Sequence, residues 1–230
     1  MFSAAAQLTS IVHQIPRTTL FIRPFSATAI PAAMDKKPDI LNWAGKDGEF
    51  KRQQSVFRSW IENKPNAEFP PEKGRYHLYV SYACPWAHRT LIVRELKGLK
   101  DIISYNSVHW HMGEKGWRFA TSDEKVPGNT TPDPIHKDFT HLRNIYFEQN
   151  PDYEGRFTVP TLYDKKTNRI VSNESSEIIR MLYHEFDDLV EDKYKSVDLF
   201  PQKLQKEIEE MNDWVYNDVN NGVYKSGFAT

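Results

Sequence analysis

The sequence predicts an α/β domain with the element order βαβ, helix, ββ, helix, followed by the start of an all-helical domain. Three features carry the prediction. An aromatic and apolar run, Tyr76 to Val80, passes through Cys84-Pro85 into helical spacing. Two short apolar segments flank the polar turn Asp164-Lys165-Lys166-Thr167-Asn168. A lone amphipathic stretch follows Asp198.

In chain order, residues 1–34 contain no Asp or Glu but hold Arg17, Arg23 and several Ser and Thr, the composition of a mitochondrial transit peptide or a disordered extension. Arg23-Pro24-Phe25-Ser26 is similar to a matrix-protease cleavage site, so a mitochondrial location is expected, with the cytoplasm as the alternative. Residues 35–70 are polar with scattered aromatics (Trp43, Phe50, Phe57, Trp60) and read as an irregular arm laid on a domain. The first strand begins at Tyr76. After Cys84-Pro85 the apolar positions Leu91, Ile92, Val93 and Leu96 predict a helix that Gly98 ends. A second strand is expected over 102–108, and an irregular Pro- and Gly-bearing stretch runs from Val108 to Pro134. A helix is expected over 137–149, then a hairpin of strands 158–163 and 169–171. The last helix of this domain, 174–185, carries Ile178, Ile179 and Leu182 on one face and starts behind Ser172 and Asn173, either of which can cap it. Residues 71–195 thus form a thioredoxin-like domain. From 196 to 230 one more helix is expected over 201–220, with Pro201 at its start and Leu204, Ile208, Met211, Val215 and Val219 on one face. One amphipathic helix cannot bury its own stripe.

Composition narrows the function. Lys and Arg total 30 against 31 Asp and Glu, a formal charge of −1 without a basic stripe, which argues against nucleic-acid binding. No apolar run is long enough to span a bilayer. A single cysteine excludes an intrachain disulfide framework and a Cys-rich zinc site. His109 and His111 lie two apart on a strand, but no third ligand stands nearby, so no metal is expected.

The chemistry centres on Cys84. It sits on a strand-to-helix turn with Pro at the first helical position, where the helix dipole and unpaired N–H groups stabilise a thiolate. Ala87 stands where a dithiol oxidoreductase would carry a second cysteine. A lone reactive thiol, once oxidised, can be restored only by a thiol from another molecule. Val159-Pro160 opens the third strand, where an ordinary trans bond is the simple expectation and a cis bond facing the cysteine the one a thioredoxin-like fold implies; Glu174-Ser175 lies at a helix N-terminus able to receive a carboxylate or simply to cap itself.

Five segments, SYACPWAHRTLIVRELKGL, HMGEKGWRF, RFTVPTLYD, SNESSEIIRML and NDWVYNDVNNGVYKSGF, resemble the Xi-class glutathione transferases, the glutathionyl-hydroquinone reductases, which neighbour the Omega class. The resemblance covers roughly Ile40 to Thr230. It implies a thioredoxin-like glutathione-binding domain joined to an all-α C-terminal domain, glutathione as co-substrate, glutathionylated quinones as substrates and a homodimer. In that scheme Cys84 is the nucleophile and Tyr224 the proton donor. Trp117 packs on glutathione, Arg156, Phe157, Thr158 and Val159 with Glu174 and Ser175 hold its peptide and carboxylate, and Pro160 is cis and faces the cysteine. The family continues beyond the position of Thr230, so a fragment or the product of an alternative transcript is expected, or else a protein that aggregates when made alone. An Omega-like thioltransferase or dehydroascorbate reductase shares the same site, and a non-catalytic transferase-fold interaction module is the reading from outside enzymes. A conventional conjugating transferase fits less well, because such enzymes activate the thiol of glutathione with a Tyr or Ser hydroxyl.

Overall fold

The computed structural model describes residues 53–228; the N-terminal segment to residue 34 and the arm up to residue 52 lie outside them. A four-stranded mixed sheet in the order β2-β1-β3-β4 forms the centre. Strand β1 (Tyr76–Val80) is buried at every position, as a central strand covered on both faces must be. Beside it β2 (Ser104–Ser107) runs parallel, and β3 (Thr161–Asp164) and β4 (Arg169–Ser172) continue antiparallel. The β3–β4 hairpin turns through Asn168 at φ 53°, a left-handed conformation that Asn tolerates.

Helix α1 (Pro85–Leu96) makes the βαβ crossover and buries Ala87, Thr90 and Val93. Its end is set by Gly98 at φ 66°: Gly98 N–H donates to Glu95 C=O and Leu99 N–H to Arg94 C=O, the paired closure of a Schellman turn. A Cβ on Gly98 would lie 2.3 Å from the Tyr194 ring, so this position needs glycine for space as well as for φ. The strand β2 occupies 104–107 rather than 102–108.

Helix α2 runs Leu142–Gln149, shorter than the expected 137–149. The reason is competition for backbone groups. Phe119 N–H donates to Thr140 C=O and Leu142 N–H to Trp117 C=O, holding residues 140–142 in extended pairing with 117–119. His141 then becomes the N-cap, its N–H donating to Asn144 Oδ1 at 3.0 Å. The expected start of the third strand at 158 also moves, to Thr161. The buried Tyr146 hydroxyl donates to Thr158 C=O (2.9 Å) and accepts from Thr158 N–H (3.2 Å), so Thr158 is held by a side chain instead of the sheet.

Helix α3 (Ser175–His184) packs on α1 and is capped by Glu174, whose carboxylate accepts from Ser176 N–H at 3.1 Å. The expected caps serve elsewhere: Ser172 Oγ accepts from Glu174 N–H, and Asn173 Oδ1 from Phe57 N–H. One turn, α4 (Asp192–Lys195), leads to α5 (Gln205–Trp214), which continues through a π-helical segment, 215–220, into α6 (Asn221–Phe228). The expected single helix is therefore longer and wider. In the widened part Asn217 Nδ2 donates to Asp213 C=O, a side chain inserted into the main-chain ladder. Its apolar stripe is open to solvent at Met211, Trp214, Val219 and Val223.

The arm from residue 53 contributes more than a cover. Ser59 N–H donates to Val171 C=O and Asn173 N–H to Phe57 C=O, which extends the β4 edge, while Ile61 and Phe69 are fully buried. Edge pairing of this kind removes an open row of N–H and C=O groups.

Candidate functional site

Cys84 is the N-cap of α1, in extended conformation (φ −107°, ψ 113°), with Pro85 as the first helical residue and no acidic residue in the first turn. Its N–H donates to Ser81 C=O at 3.0 Å, which folds the turn, and its half-buried side chain projects from the N-terminal end of the helix without a capping bond. That geometry favours the thiolate electrostatically. Sγ donates to Val159 C=O at 3.5 Å, and the Val159-Pro160 bond is cis.

A cavity of about 260 Å³ opens over the sulfur. It brings Cys84 and Tyr224 together with Trp117 and with Arg156, Phe157, Thr158 and Val159. Pro160, Glu174 and Ser175 do not line this cavity, whereas the adjoining Asn173 does. Glu174 is already well used as an acceptor: Oε1 takes Ser176 N–H and Oγ–H, and Oε2 takes Ser55 Oγ–H at 3.0 Å. The Ser175 hydroxyl accepts from Arg89 Nε at 3.1 Å and Nη2 at 2.7 Å.

Sequence reasoning missed part of the wall. Gln53, Gln54 and Ser55 from the arm, Met112 from the irregular stretch, Trp86 next to Pro85, and Tyr153 all line it. Gln53 Oε1 accepts from Arg156 N–H at 3.1 Å, tying the arm to one predicted site residue, as Ser55 ties it to Glu174. Met112 and Trp86 lie inside segments that carry the resemblance, which was the available signal; the arm offered none. Tyr153 is pushed up by burial, and its hydroxyl donates to Arg156 C=O, so this phenol stays protonated and shapes the wall without ionising.

Residues 83–185 match the family model described as glutathione S-transferase, N-terminal domain. The glutathione transferase Xi of Phanerochaete chrysosporium superposes with a TM-score of 0.75 at 53% identity, covering 81% of this chain and 58% of that one. The chain is a homologue of the Xi-class glutathione transferases. The chain is also similar to the glutathione S-transferase omega-like 2 of Schizosaccharomyces pombe, 54% identical over 192 residues, 83% of this chain and 59% of the relative. The glutathionyl-hydroquinone reductase YqjG of Escherichia coli is 50% identical over 189 residues, 80% of this chain and 55% of the relative; its glutathione-bound structure superposes with a TM-score of 0.69, at 48% identity over 76% of this chain and 56% of that one. The chain thus spans little more than half the length of these relatives. Among its described residues no cluster of His, Cys, Asp and Glu fits a metal ion, and no helix is long and apolar enough to cross a membrane. His111 N–H donates to His109 Nδ1.

Proposed function

We propose that this chain is a glutathione-dependent thiol oxidoreductase that reduces S-glutathionyl-hydroquinones through a mixed disulfide on Cys84. The observation that carries the reading is the thiol at the α1 N-cap sharing one cavity with Tyr224 and Trp117, in a chain with no second cysteine. The Cys84 thiolate attacks the glutathionyl sulfur. The carbon–sulfur bond breaks, its electron pair goes to the aromatic carbon, and Tyr224 delivers the proton. The hydroquinone leaves. A second glutathione, as thiolate, attacks the glutathionyl sulfur of the mixed disulfide, releasing glutathione disulfide and the Cys84 thiolate. Two sulfurs are oxidised and the aromatic carbon is reduced, so the cycle closes with thiols alone.

In this reading glutathione lies with its thiol toward Cys84, its peptide along 156–159, Trp117 against it, and its γ-glutamyl carboxylate toward the N-terminus of α3 at Glu174 and Ser175. That helix end supplies N–H groups for an anion. The glutathione-bound structure of YqjG supports glutathione as the co-substrate. Expected partners are glutathione, glutathionylated quinones and a second copy of the chain, and the proposed location is mitochondrial, from the acid-free residues 1–34.

Turnover of a glutathionyl-hydroquinone in the presence of glutathione tests the reading, with dehydroascorbate assayed in parallel. The proposal expects glutathione disulfide and free hydroquinone in equal amounts and lost turnover in Cys84→Ser. Preference for dehydroascorbate would favour the Omega-like reading that two yeast relatives' names suggest.

A further inference from the structure

Trp86 Nε1 lies 3.0 Å from Tyr224 Oη. An indole nitrogen can only donate, so the phenol oxygen is the acceptor, and Tyr224's own proton points away from the indole. We propose that Trp86 is a positioning residue for Tyr224, fixing the direction of its proton and steadying its oxygen as that proton leaves. This rests on the reading of Tyr224 as proton donor.

Placement supports it. Trp86 is two residues from Cys84 in the first turn of α1, so the turn that aims the sulfur also places the indole; both side chains and Tyr224 line the same cavity. The ring is itself held. The Arg89 guanidinium carbon stands 5.0 Å from its centroid, the Tyr216 ring 6.1 Å away, and Arg89 in turn donates to Ser175. Trp86 is thereby a link between the thiol-bearing helix and the terminal helical segment that carries Tyr216 and Tyr224.

The chemistry gives the bond a direction. As the carbon–sulfur bond breaks, the proton passes from Tyr224 to the aromatic carbon and negative charge develops on the phenol oxygen, which water reprotonates afterwards. A hydrogen bond to an ionised acceptor is roughly twice as strong as one to a neutral acceptor, so the indole favours the state after proton transfer over the state before it. Losing that difference corresponds to a fall in kcat of about five- to tenfold.

Two variants of the full chain separate the donor from the ring: Trp86→Phe, and a chain carrying β-(3-benzothienyl)alanine at position 86, which keeps the bicyclic shape and lacks the N–H. Tyr224 is followed by NMR with ring-labelled tyrosine, its signal assigned with Tyr224→Phe. In both variants the Tyr224 titration moves to higher pH, kcat falls by the stated factor, and KM for the conjugate changes less than twofold. An unmoved Tyr224 titration in the benzothienyl chain overturns the inference, as does a loss confined to KM. The titration needs no turnover, so it decides the role of Trp86 even if glutathionyl-hydroquinones prove not to be the substrate; failure of that reading would instead appear as absent turnover in the unsubstituted chain.

Discussion

Replacing His77 with Gln should make the fold less sensitive to acid, by an amount the structure sets. His77 lies on the central strand, 2% exposed, with Nε2 2.9 Å from Asn106 Oδ1 and Nδ1 2.8 Å from Ser104 Oγ. The amide oxygen can only accept, so Nε2 carries the hydrogen and Nδ1 receives the serine hydroxyl. That neutral tautomer has both nitrogens satisfied. Burial, with Lys165 and Arg94 nearby, pushes the imidazole down to about 4, against an ordinary value of 6.5. Between those two values the unfolded chain binds the proton and the folded chain does not. Stability is therefore full above about pH 6.5 and falls as the pH drops toward 4, at up to about 1.4 kcal/mol per pH unit. From pH 6.5 to 4.5 this one residue accounts for about 2–3 kcal/mol, a large share of a typical domain's 5–15 kcal/mol. Urea unfolding followed by circular dichroism at half-unit steps across that window measures it. His77→Gln should start less stable at pH 7 and show a slope smaller by about one proton. His141, also pushed down to about 4 by burial and by Arg143, leaves residual slope in both proteins. Equal slopes in the two proteins would refute the assignment of a buried neutral His77.

Other perturbations follow from the same geometry. Arg75 meets the fully buried Asp164 carboxylate with two bonds, at 2.9 and 2.6 Å, so Arg75→Met should cost about 3–5 kcal/mol in urea unfolding, and Asp164→Leu in the same chain should return much of it. Gly98→Ala meets both a left-handed φ and the Tyr194 ring, and should destabilise by about 2 kcal/mol or more, read in the same assay. Glu174→Ala removes the α3 cap and the anchor of Ser55, costing about 1 kcal/mol in stability and weakening glutathione binding measured by calorimetry.

How much of this was legible in the sequence depends on the range of the forces involved. The turn at Cys84-Pro85 and the closure at Gly98 follow from local rules: proline suits the first helical position, glycine the left-handed cap, and both were read correctly. The element order was equally readable, because each strand and helix announces itself by its own apolar spacing. The boundaries that moved are those decided by distant partners. Thr158 left the sheet because Tyr146, on another element, took both of its backbone groups. Helix α2 lost its first turn to pairing with residues 117–119. The arm's share in the cavity was invisible for the same reason: Ser55 and Glu174 are 119 residues apart, and nothing in either neighbourhood reports the other. At the site, Cys84 was read from its strand-to-helix turn, Trp117, Tyr224 and residues 156–159 were named from the resemblance, and all share one cavity. Trp86 sat inside a quoted segment and was passed over, since only the fold shows an indole reaching a tyrosine 138 residues away.

The central claim is that Cys84 works as a lone redox thiol, and intact mass measures it most directly. The chain is incubated with glutathione disulfide, then with reduced glutathione, beside Cys84→Ser. The account predicts a single glutathionyl adduct that reduced glutathione removes and that the serine variant never forms. Folded protein that takes no adduct would contradict it, and the non-catalytic module would become the better reading.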